Sequence, residues 1–188
     1  MATHSANGWA PVAPLGPIDW APLATLTAPA LVLSWLAESG SLTRRLRGEP
    51  GPLTLACLQQ GVVLAEQSWQ RQVLLLKAGR PWVWALTQAP AATLRQHPEL
   101  ARQGERPLGD WLFGEGGGRR SSLQWADLAA EPALVQALRA WRITPPDRLW
   151  ARYSRFELSA GHCTITELFL PGSPPYAEPV DEVSVCKR

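Results

Sequence analysis

Apolar and polar side chains alternate with the two-residue period of a pleated strand in two long stretches of this chain. Residues 69–76 and 81–87 flank Lys77-Ala78-Gly79-Arg80, and residues 149–158 and 162–170 flank Ser159-Ala160-Gly161. Both predict β-hairpins. Residues 53–58 and 62–66 predict two further strands around a Gln-Gln-Gly turn. Elsewhere the spacing is helical. Leu31, Leu33, Trp35 and Leu36 give residues 29–38 an apolar stripe, Gly40 stops it, and Ser41 can cap a second short helix over 42–47. Short helical turns are expected at 90–95, 98–102 and 108–113, and longer helices at 123–130 and 132–141. Hairpins with a few helices predict an α+β class: a single domain with an antiparallel β-sheet flanked by short helices.

The ends read differently. Residues 1–22 carry Pro11, Pro14, Pro17 and Pro22 with little periodicity and predict a poorly ordered arm. Residues 23–176 form the expected domain, and 177–188 a polar tail.

Composition narrows the function classes. The chain has 188 residues, 46% of them hydrophobic and 18% charged, enough for one domain with a substantial core. Net charge is +2, too small to imply nucleic acid or an anionic membrane, and no nucleic-acid motif appears. No apolar stretch approaches the roughly 20 residues of a bilayer span, so membrane insertion is not expected. Cys57, Cys163 and Cys186 are scattered, as are His4, His97 and His162, so neither a metal site nor a disulfide framework is expected. The N-terminus has no leader pattern, and a reduced cytoplasmic location is the expectation. The run Gly114-Glu115-Gly116-Gly117-Gly118 lacks a following Lys-Ser/Thr and reads as a flexible loop, not a phosphate cradle.

Two charged residues break the alternation. On 162–170, Cys163, Ile165, Glu167 and Phe169 share one face. On 69–76, Trp69, Arg71, Val73 and Leu75 do the same. A lone carboxylate or guanidinium among apolar neighbours needs a partner, because an unpaired buried charge costs several kcal/mol. Two readings follow. Glu167 and Arg71 can pair with each other, which is structural and contributes little net stability. Or they can bracket a ligand, with the guanidinium gripping a carboxylate through two parallel hydrogen bonds.

A resemblance bears on that choice. TELFLPGSPPY at 166–176 resembles the C-terminal signature of the chorismate lyase (chorismate–pyruvate lyase) family. GSLTRRLR at 40–47, SWQRQVLLLKAGRPWVWA at 68–85, ERPLGDWLF at 105–113 and LWARYSRFEL at 149–158 resemble further family segments in the same order. The resemblance implies a lyase that converts chorismate to 4-hydroxybenzoate and pyruvate, the first committed step toward the ubiquinone ring. It implies no cofactor, no metal, and a monomer. It also implies site roles: Arg71 on the ring carboxylate, Glu167 on the ring hydroxyl, and main-chain contacts at Leu42 and Leu108, with Arg71 and Glu167 as the catalytic pair. One position departs. Leu86 stands where relatives often have arginine, which leaves the residue that meets the enolpyruvyl carboxylate open; Arg44, Arg45, Lys77 and Arg152 are candidates.

The alternative is a non-catalytic binding domain for a small aromatic carboxylate, because the family's fold resembles effector-binding domains of some bacterial regulators. Those follow a DNA-binding winged helix. Residues 1–28 are too short and proline-rich to make one, which favours the enzyme.

Overall fold

The computed structural model describes residues 9–129 and 131–177. In chain order the elements are β1 (Ala21–Pro22), α1 (Ala30–Leu36), α2 (Leu42–Gly48), β2 (Leu53–Val63), β3 (Ser68–Lys77), β4 (Arg80–Pro90), α3 (Ala91–Gln96), α4 (Leu108–Leu112), β5 (Arg119–Arg120), β6 (Gln124–Ala129), α5 (Pro132–Ala140), β7 (Arg148–Glu157) and β8 (His162–Phe169). The strands form one antiparallel sheet in the order β1-β6-β7-β8-β4-β3-β2, with β5 pairing β7 off that path. This is the expected α+β single domain.

The hairpins form where alternation places them. The β3–β4 turn is the pair Ala78-Gly79, both with positive φ (48° and 77°). That mirror-image geometry matches the right-handed twist of the flanking strands. Ser41 caps α2 as expected, its hydroxyl accepting from Arg44 N.

Two elements differ from expectation. Residues 124–129 are the strand β6, not a helix, because their backbone pairs along six residues of β7 and tertiary pairing overrides the local spacing. Gln59, Gln60 and Gly61 are not a turn. They continue one long strand, opposite Gln72, Arg71 and Gln70, with a bulge between Cys57 and Gln59 that absorbs the irregular pattern.

Both sheet faces are covered. On the far face Leu74, Trp84, Ala151 and Leu168 pack against Leu134 and Leu138 of α5 and against Val12, Leu15 and Trp20. The stretch expected to be a poorly ordered arm over 1–22 is therefore, from residue 9 on, a strap. Val12 is 2% exposed, and its N–H and C=O bond both ends of the buried Gln72 amide at 2.9 Å. Residues 1–8, and the expected polar tail from 178 on, lie outside the described residues.

On the near face two apolar clusters stand side by side. One joins Trp35, Leu36 and Leu46 of α1 and α2 to Leu75, Val83 and Phe169. The other joins Leu100, Leu108 and Leu112 to Trp69, Phe156 and Cys163. Between them lies the site. The end of the TELFLPGSPPY segment is part of this scaffold: Ser173 Oγ donates to Leu170 O, and Tyr176 Oη takes Trp150 N–H and donates to Phe169 O.

Cys163, fully buried, has its thiol pushed up to about 12 by desolvation. Its folded pKa lies above the unfolded value, so its contribution is complete below pH 9 and fades as pH rises toward 12. Urea midpoints should therefore fall above pH 9, by about 1 kcal/mol of stability at pH 10. Cys163→Ala should flatten that part of the curve; an unchanged slope would refute the assignment.

Candidate active site

Sheet register alone brings the singled-out residues together. Arg71 pairs Thr87, and Ala85 pairs Glu167, so Arg71 on β3 and Glu167 on β8 face the same way with β4 between them. Strand spacing puts their Cα atoms roughly 12 Å apart. Both line a narrow cavity of about 50 Å³, floored by Val73, Ala85 and Ile165 and roofed by the first residues of α2 and α4.

Arg71 and Glu167 do not pair with each other. Arg71 is 2% exposed and its Nη2 donates to the carbonyls of Gly104 (2.6 Å) and Arg106 (3.0 Å), while its buried Nε has no partner. Burial pulls its pKa below the ordinary arginine value, with the Cys57 sulfur opposing. One edge of the fork is anchored to the roof, and a donor remains for a ligand carboxylate.

Glu167 has a different partner. Arg152 lies directly opposite on β7, and its Nε donates to Glu167 Oε2 at 2.5 Å. Arg152 is fully buried, and its Nη1 also donates to Trp35 O and Glu38 O. Glu167 Oε1 takes no hydrogen bond from the described residues and is left to accept from a ligand. The signal was present in the chain. Alternation on β7 sets Arg152 between Trp150 and Ser154 on the face that also carries Phe156, as it sets Arg71 on β3.

Leu42 and Leu108 open α2 and α4, and both are buried at the roof of the cavity. The first N–H groups of a helix have no intrahelical partner, so main chain can serve a ligand here whatever the side chain. The two helix starts nearly touch. A Cβ on Gly109 would lie 3.0 Å from Ser41 Oγ. Gly109→Ala should wedge the roof apart and weaken binding of an aromatic carboxylate by about tenfold, within the range of small-to-large changes in packed sites. Isothermal titration with 4-hydroxybenzoate checks this, and unchanged affinity would contradict it.

Of the cations considered for a second carboxylate, three are elsewhere. Arg44 is exposed. Arg45 stacks 3.9 Å over Trp35 and bonds Ser34. Lys77 is buried at the end of the hairpin, donating to Leu46 O. Leu86 faces the opposite side of the sheet, since it pairs Gln72 and Thr166, so the cavity does not feel its departure from the family directly. Arg120, which no periodicity marked because it follows the glycine run, does line the cavity.

A larger crevice, about 540 Å³, lies on the far face beside the strap. No guanidinium or ammonium lines it, and its buried amide, Gln72, already bonds Val12 and Trp84. An anion has no cationic partner there. Among the described residues no three His, Cys, Asp or Glu side chains cluster as metal ligands, and no helix is long and apolar enough to cross a membrane.

The family profile described as chorismate lyase matches residues 15–180, nearly the whole chain. The chain belongs to the chorismate lyase family. The chorismate pyruvate-lyase of Serratia proteamaculans is 33% identical over 178 residues, spanning 87% of this chain and 91% of that protein. That of Erwinia tasmaniensis is 31% identical over 176 residues, spanning 86% and 91%. A GntR-family transcriptional regulator from Bacillus cereus overlaps in shape with a TM-score of 0.45 at 13% identity, covering 63% of this chain and 92% of that one. All five segments that resemble chorismate lyases fall inside the matched span. All five supply lining residues of the cavity: 40–47 and 105–113 at its roof, 68–85 and 166–176 at its floor, and 149–158 through Phe156.

Proposed function

We propose that this chorismate lyase family member cleaves chorismate to 4-hydroxybenzoate and pyruvate in the near-face cavity, with Arg71 on the ring carboxylate and Glu167 on the ring hydroxyl. The observation that carries the assignment is the cavity's polarity. A guanidinium and a carboxylate stand at opposite ends of a floor whose other residues are Val73, Ala85, Ile165 and the small polar Thr87, which suits a ring carrying a carboxylate and a hydroxyl in para positions. Leu42 and Leu108 contribute main chain from above.

The reaction is an elimination. The C3–O bond to the enolpyruvyl arm breaks and its electron pair leaves with the arm. The proton on C4 departs, and the C4–H pair becomes the ring double bond that completes aromaticity. The enolpyruvate gains a proton at its methylene carbon and becomes pyruvate. Atoms and electrons balance without an oxidant or a second substrate. Aromatisation supplies driving force, so the protein's share is orientation, water exclusion and placement of charge. Arg71 fixes one end of the ring. Glu167, held by Arg152, accepts from the C4 hydroxyl and fixes the other.

Purified protein mixed with chorismate should release 4-hydroxybenzoate and pyruvate in equal amounts. Tight 4-hydroxybenzoate binding without turnover would replace this reading with that of a binding domain.

A further inference from the structure

We propose that Arg120 meets the carboxylate on the enolpyruvyl arm and thereby selects the doubly charged substrate over its singly charged aromatic product. The inference rests on the reading of the cavity above. Chorismate carries two carboxylates and 4-hydroxybenzoate retains one, so a second cation must serve the arm. The arm leaves C3, next to the carbon bearing the hydroxyl. Its carboxylate therefore lies off the Arg71–Glu167 line, toward the Glu167 end.

Arg120 sits at that end. It lines the cavity, and Glu167 and Arg152 are among the charges that act on it. Its Nη1 is held by three successive carbonyls of the α1–α2 loop, Glu38, Ser39 and Gly40, at 2.9–3.1 Å. Its guanidinium carbon lies 4.7 and 4.8 Å over the rings of Phe113 and Phe156. Its buried Nε has no partner. The side chain is thus fixed at one edge and unsatisfied at another, the arrangement that pre-orders a guanidinium for a carboxylate.

The charges agree. Arg71 and Arg120 line the cavity, and its one lining carboxylate, Glu167, is paired by Arg152; Glu38 acts on Arg120 from outside the lining, where its oxygens bond Gly40 N–H and pair Arg45. Two positive charges remain at the cavity, matching a dianion. Burial supports this by pulling Arg120 down to about 10, a cost that an arriving anion would relieve.

The competing account makes Arg120 only a brace for the 38–40 loop. Two aromatic ligands separate them: 4-hydroxybenzoate and 3-(carboxymethoxy)-4-hydroxybenzoate, which adds one carboxylate arm. In Arg120→Gln, affinity for the two-carboxylate ligand should fall about 10²-fold while 4-hydroxybenzoate affinity stays within about twofold. KM for chorismate should rise, and Arg120→Lys should restore part of the loss. Equal weakening of both ligands, or none of either, would overturn the proposal. If Arg120→Gln weakens only the two-carboxylate ligand yet the wild-type protein fails to turn over chorismate, the lyase reading fails and the assignment of Arg120 to the second carboxylate stands.

Discussion

Arg71→Ala should lower kcat/KM for chorismate by about 10³-fold, the scale of removing one partner from a buried, hydrogen-bonded charge pair. Arg71 is 2% exposed on a mostly apolar floor, so no water can replace the fork where the ring carboxylate would sit. The same variant should weaken 4-hydroxybenzoate binding to a similar degree, because product and substrate share that carboxylate. Folding should survive. The carbonyls that Arg71 holds belong to residues 104 and 106, both exposed, so they can turn to water at a cost of about 1 kcal/mol. Arg71→Lys keeps the charge but loses the planar fork, and should recover only part of the activity. A folded Arg71→Ala protein with near-normal kcat/KM would remove Arg71 from the site.

Glu167→Ala should fail for a different reason. It strands the fully buried Arg152, and an uncompensated buried charge costs about 3–5 kcal/mol. For a chain of this length that is a drop of about 10 °C in Tm. Activity loss in that variant would mix chemistry with unfolding. Glu167→Gln separates them. The amide oxygen can still accept from Arg152 Nε, so most stability should persist while kcat/KM falls about 10²-fold through loss of the carboxylate at the C4 hydroxyl. Adding Arg152→Met to Glu167→Ala should restore Tm, since an apolar replacement of a buried pair is near neutral, yet leave the enzyme inactive. Thermal melts and steady-state kinetics on the four proteins check this. Recovered activity in the double variant would show that Glu167 matters only as a counterion.

The sequence carried the elements whose partners are local. Both long hairpins were legible because alternation and a short Gly-bearing turn coincide, as at Ala78-Gly79. Placement of Arg71 and Glu167 on one floor followed from the same two-residue period once β4 was known to lie between them. Non-local pairing was not legible. Nothing in residues 123–130 announced that they would line up along β7, and nothing in the Gln-Gln-Gly string showed that it would continue β2 through a bulge. The strap at Val12 depends on an amide 60 residues away. The Arg152–Glu167 pair was missed for a different reason, since its two strands are the arms of a hairpin that was legible, but the exact register across the turn was not. Each residue alone reads as an odd charge on an apolar face, and only the β7–β8 register makes them neighbours. Arg120 left no trace because it follows a glycine run with no period at all.

The most direct test is a crystal of this protein grown with 4-hydroxybenzoate. The ring should lie in the near-face cavity, its carboxylate on the Arg71 guanidinium and its hydroxyl within hydrogen-bond distance of Glu167 Oε1. A ligand found in the far-face crevice beside Gln72, or reversed in the cavity with its carboxylate on Arg120 and Arg152, would contradict the account.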